Sequence, residues 1–132
     1  MVAIEPPIGF PALLRWLRQR AGLSQNRLAR ASGIDPAYVN RIEASEAAGP
    51  QVPRGPILER LCEALQLSTA ERDRLYFAAR RCPPSLSAVG TWDPAFALVA
   101  DLLADPSLGP DDRAEFRQVL SVLVDRWRRS AG

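Results

Sequence analysis

The stretch from Leu23 to Glu43 constrains this chain more than any other segment. Ser24 stands just before a helical run, where its hydroxyl can accept a hydrogen bond from an orphan N–H of the first turn. Leu28 and Ala29 supply an inward face, and the small Ala lets a second helix cross closely. Gly33 falls where that helix must stop in a positive-φ conformation that a β-carbon makes costly. Ile34 then turns back toward the core. Asp35-Pro36 is a second start signal: an N-cap followed by a proline at the first helical position, where its missing N–H costs nothing. Val39 and Ile42, three apart, face inward and leave Ala37, Tyr38, Asn40 and Arg41 facing out.

Two short helices joined by a glycine turn fit two readings. One is an ordinary αα-hairpin within a helical bundle. The other is a helix-turn-helix whose second helix enters the DNA major groove. The pattern Ser24-Gln25, Ala29, Gly33-Ile34, Val39 and Ile42-Glu43 resembles the Cro/cI-type (XRE) helix-turn-helix family of transcriptional regulators. Leu13 to Gly22 resembles the first helix of that family, Leu58 to Ser68 its fourth and Ser68 to Ala79 its fifth. The resemblance runs in order over residues 11–81 and implies an all-α fold. It implies a five-helix phage-repressor-like helix-turn-helix domain over residues 1–81, followed by a two-helix C-terminal extension.

Composition fits that class and argues against enzyme chemistry. The 132 residues contain no histidine, which removes the commonest general base and metal ligand. No P-loop, GxSxG or GxGxxG motif occurs, and neither a cofactor nor a metal is expected. Asp111 and Asp112 are adjacent, so on a helix they diverge by about 100° and suit a first-turn role better than a catalytic pair. Cys62 and Cys82 form no CxxC; Cys62 lies on an apolar helix face and reads as core. No run of apolar residues is long enough to span a membrane. The first ten residues lack the basic and apolar regions of a secretory signal. The expected location is the cytoplasm, at the bacterial nucleoid.

Charge is divided along the chain. Residues 1–44 hold six arginines against three acids, whereas residues 90–125 hold two arginines against seven acids. The basic end suits phosphate and the acidic end does not. All seventeen basic residues are arginine, so every cationic contact would come from a planar fork donor.

The resemblance also implies roles. The helix over residues 36–44 would lie in the major groove, with Pro36, Ala37 and Arg41 at the base-reading positions and Tyr38 and Asn40 flanking them. Arg41 can fork onto guanine O6 and N7, whereas Pro36 and Ala37 offer only apolar contact. Ser24, Gln25 and Asn26 would serve phosphate binding and bracing at the start of the second helix. Arg54 would bind phosphate beside the N-terminus of the fourth, with Pro56 at its first position. Arg18 and Glu43 match a family pair that joins the first and third helices by an internal ion pair. The segment from Ser45 to Pro53 is longer than the usual loop after the reading helix.

Beyond that domain, Ser68-Thr69-Ala70-Glu71 reads as a capping box. Residues 82–91 read as a linker and 92–132 as a helical element. Asp93-Pro94 repeats the cap-plus-proline signal. Phe96, Val99 and Leu103 form one apolar stripe; Phe116, Leu120, Leu123 and Trp127 form another. Helices of about 12 and about 19 residues cannot bury broad apolar faces by themselves. They either pack back on the amino-terminal bundle or pair with a second copy, and the expectation is a homodimer on double-stranded DNA, acting as a repressor at a palindromic operator. The rival reading is an antitoxin of the same fold, whose C-terminal helices neutralise a toxin partner.

Overall fold

The computed structural model describes residues 5–45 and 52–132, and among these every regular element is a helix. The chain divides into two compact units, residues 1–90 and 91–132.

The first unit contains α1 (Phe10–Arg20), α2 (Gln25–Ser32), α3 (Pro36–Ala44), α4 (Gly55–Ala64), α5 (Thr69–Ala78) and the short α6 (Pro84–Ser87). Its starts and stops are written in local chemistry. The Ser24 hydroxyl accepts from the Arg27 N–H at 3.1 Å, and Asp35 Oδ1 accepts from the Ala37 N–H at 2.9 Å. Gly33 closes α2 in the left-handed region at φ 69°. Ser68 and Glu71 complete the reciprocal capping box of α5. α4 starts one residue earlier than expected, with Gly55 first and Pro56 second.

Every helix from α1 to α5 sends apolar side chains to one core. Leu13, Leu14 and Leu17 come from α1, Leu28 and Ala29 from α2, Val39 and Ile42 from α3, Leu58, Leu61 and Cys62 from α4, and Leu75 from α5. Burying each leucine contributes about 1.5–3 kcal/mol. α2 packs on both α3 and α4, and α1 on α3 and α5, so the helix-turn-helix is clamped from its inner side. On the outer side of this core, Glu59 takes the Arg72 guanidinium and the Tyr76 hydroxyl, the latter at 2.8 Å. The stretch expected as a linker carries α6, which packs on α5; the Ser85 N–H donates to Asp73 Oδ1 at 3.0 Å. The expected long loop at Ser45–Pro53 falls mostly outside the described residues. At its far end Pro53 is buried and its carbonyl accepts from Arg81 Nε at 3.2 Å.

The second unit is α7 (Ala95–Ala104) and α8 (Pro110–Ser130). Asp93 Oδ1 accepts from the Ala95 N–H at 2.8 Å, repeating the device at Asp35. Arg113 fastens the connecting turn, donating to the carbonyls of Leu103 at 2.9 Å and Leu108 at 3.2 Å. The Trp92 and Phe96 rings meet at 5.3 Å between centroids. Neither helix has a buried residue. No described helix is long and apolar enough to cross a membrane.

Candidate nucleic-acid interface

α3 is built with one sealed edge and one open edge. Val39, Ile42 and Glu43 are buried, whereas Pro36, Ala37, Asn40 and Arg41 are exposed. Tyr38 departs from the outward orientation expected of it. Its ring is half-buried against the core and carries the Arg41 guanidinium 5.8 Å above its centroid. Stacking of this kind restrains the long arginine side chain while leaving its fork donors free.

The sealed edge holds a charged group. Glu43 is 1% exposed, and Arg18 of α1 donates to both its carboxylate oxygens, at 2.7 and 2.8 Å. Arg18 also donates to the Leu23 carbonyl at 2.9 Å, tying the α1–α2 turn to the same group. Its own pKa is raised, chiefly by the hydrogen bond to Glu43. One turn earlier on the same face, Arg15 donates to the Glu43 carbonyl at 2.7 Å and thereby caps the end of α3 with a cation. Sequence reasoning named the Arg18–Glu43 pair from the family pattern but gave Arg15 no role. The spacing of Arg15 and Arg18, three apart on one helix, is the signal that could have found it.

Gln25, the first residue of α2, connects the sealed edge to the open one. Its Nε2 donates to Glu43 Oε1 at 3.2 Å, and its Oε1 accepts from Asn40 Nδ2 at 3.0 Å. Ser24 and Asn26 flank it on the surface at the α2 N-terminus, where backbone N–H groups and the helix dipole favour an anion. Arg54 sits at the N-cap position of α4, exposed and making no side-chain capping bond.

The apolar residues expected at an interface between copies lie in the second unit. Phe96, Val99 and Phe116 are partly covered, whereas Leu103, Leu120, Leu123 and Trp127 are exposed.

A family model described as a helix-turn-helix domain matches residues 10–75. The chain belongs to the helix-turn-helix domain family, and its class is that of DNA-binding regulators. No curated protein matches it. Among solved structures it is similar to one titled a SinR protein/SinI protein complex, at 19% identity and a TM-score of 0.43, over 92% of this chain and 98% of that one.

Proposed function

We propose that this chain is a sequence-specific repressor that binds a palindromic operator as a homodimer, with α3 in the major groove and the second unit joining the two copies. The observation that carries the reading is the construction of α3. Its inner edge is locked by a buried, bidentate ion pair, while its outer edge presents Ala37, Asn40 and Arg41 on a rigid support. Base recognition needs a few side chains held in register, with phosphate contacts to set that register. Ser24, Gln25 and Asn26 at the α2 N-terminus and Arg54 at the α4 N-terminus supply such contacts. Arg41 is the guanine-reading group.

A second copy is favoured as the occupant of the second unit by apolar area and by charge. Leu98, Val119, Val122 and Trp127 are each more than half exposed, so the packing of α7 and α8 on each other leaves much of the hydrophobic contribution of these helices unused. α8 is acidic in its first turn, at Asp111 and Asp112, and basic in its last, at Arg128 and Arg129. Two copies of α8 crossing antiparallel about a two-fold axis bring opposite charges together at both ends.

The test is selection of bound sequences from a pool of random duplex DNA at two salt concentrations, with light scattering of the free protein. The expected result is a two-fold symmetric motif, half-sites about 34 Å apart along the duplex, and a dimeric mass. Failure to enrich any motif would sink the sequence-reading role. A monomer that captures a co-expressed small protein through the second unit would favour the antitoxin reading instead.

A further inference from the structure

We propose that Asn40 is an adenine-selective reader whose amide is oriented from the buried ion pair through Gln25. The inference rests on the reading that the open edge of α3 faces base pairs. It follows from the direction in which the hydrogen bonds must run.

Arginine has donors only, so both Glu43 oxygens act as acceptors where Arg18 holds them. Glu43 therefore cannot donate to Gln25, and Gln25 must turn its NH2 end toward it. The Gln25 carbonyl oxygen is then aimed the other way. Asn40 meets it 3.0 Å away and must do so with its own NH2 end. One buried carboxylate thus removes the choice between the two flipped states of two successive amides. Asn40, exposed on the open edge, is left with Oδ1 and one Nδ2–H, neither of which has a partner among the described residues.

An acceptor beside a donor complements the major-groove edge of adenine, which offers the N6 amino group beside N7. Guanine puts O6 and N7 there, both acceptors, and O6 would face the acceptor Oδ1. Thymine presents O4 and a methyl group, and cytosine matches the acceptor alone. An unbraced asparagine can flip to suit different bases and loses rotamer freedom on binding. A braced one has already been ordered in the adenine-reading state. Gln25 is a positioning residue in this scheme, since it acts through Asn40.

The experiment is selection from a random duplex DNA pool with the full chain and with Asn40→Ala and Gln25→Leu, after matching thermal melts establish that each variant is folded. The full chain is expected to enrich one position per half-site for adenine by about ten-fold or more over guanine. Asn40→Ala should lose that preference alone. Gln25→Leu should blunt the same position while the remaining positions keep their preferences, an effect that loss of a phosphate contact would not produce. An unchanged motif with Asn40→Ala overturns the proposal. So does an unchanged adenine preference with Gln25→Leu, which removes the bracing. Enrichment of no motif by the full chain overturns the DNA-reading function itself, and is thereby distinguishable from failure of the amide relay.

Discussion

Arg18 and Glu43 face each other across the α1–α3 packing with both oxygens of the carboxylate engaged, and the Arg18 side chain is itself only 12% exposed. Taking this acid out of water is affordable only while its partner is present. Arg18→Ala is therefore expected to destabilise the first unit by about 3 kcal/mol, the low end for an orphaned buried charge, because Arg15 lies 3.8 Å from Glu43 and supplies partial relief. Urea unfolding monitored by circular dichroism measures this. Glu43→Gln leaves Arg18 charged, but that side chain keeps some contact with water and an amide oxygen as acceptor, whereas Glu43 is 1% exposed, so Glu43→Gln should cost less than Arg18→Ala. The reverse order would contradict the account.

Helix ends give a paired prediction of opposite sign. Gly33 is at φ 69° with open space where a Cβ would stand, so Gly33→Ala meets no clash and costs only the left-handed conformation, about 1 kcal/mol. Gln66, at φ 51° after α4, already bears that cost with a side chain in place. Gln66→Gly should stabilise by about 0.5–1 kcal/mol, after allowing for the greater freedom of glycine in the unfolded chain. Shifts of the urea midpoint in opposite directions are the expected outcome.

The contrast between those two positions marks what could be read from the sequence. Gly33, Ser24, Asp35 and the Ser68–Glu71 box were legible because a cap or a stop is a property of neighbouring residues. Gln66 and Arg80 stop their helices in the same left-handed region with nothing in their identities to announce it. α6 was hidden by Pro83 and Pro84 at its start, which suggest a linker until Asp73 is found beneath its first turn. Arg18 and Glu43 were legible only through the family pattern, since nothing local links residues 25 apart. The bond from Asn40 to Gln25 depends on how α3 crosses α2, which no spacing rule supplies. Tyr38 was placed outward by periodicity, yet an aromatic ring at the margin of a small core gains more from half-burial than from solvent.

Stability at alkaline pH should fall in two overlapping steps. Burial pushes the Cys62 thiol from its ordinary 9.0 to about 11. Burial first, and then the hydrogen bond to Glu59, push Tyr76 from 10.0 to about 12. In both cases the folded protein keeps a proton that the unfolded chain has lost. The contribution is therefore complete below the unfolded value and disappears as pH rises through the folded one. Unfolding free energy is expected to decline from about pH 9 onward through both windows. Tyr76→Phe should flatten the decline most strongly above pH 10, where an unfolded tyrosine is already half ionised, and should alter the slope little near pH 9, where Cys62 dominates. An unchanged slope above pH 10 would exclude Tyr76 as its source.

The proposed antiparallel pairing of α8 with a second copy is tested by charge reversal. A helix of 21 residues is about 31 Å long, so its acidic and basic ends are too far apart to neutralise one another within a chain and are screened at physiological salt. Between antiparallel copies they adjoin. Reversing Asp111 and Asp112 to Arg makes both ends basic, and reversing Arg128 and Arg129 to Asp makes both acidic. Each homodimer should then weaken, by about 0.5–1 kcal/mol per lost pair. Mixing the two variants restores both attractions and should yield a heterodimer of near-native strength in sedimentation equilibrium. A parallel arrangement predicts no weakening at the first step, because like charges already face each other in the native chain and either reversal alone would merely exchange one repulsion for another. Val122→Asp sets the scale: this residue is 60% exposed in the single chain, and a carboxylate there should dissociate the dimer while leaving the unfolding of the first unit unchanged.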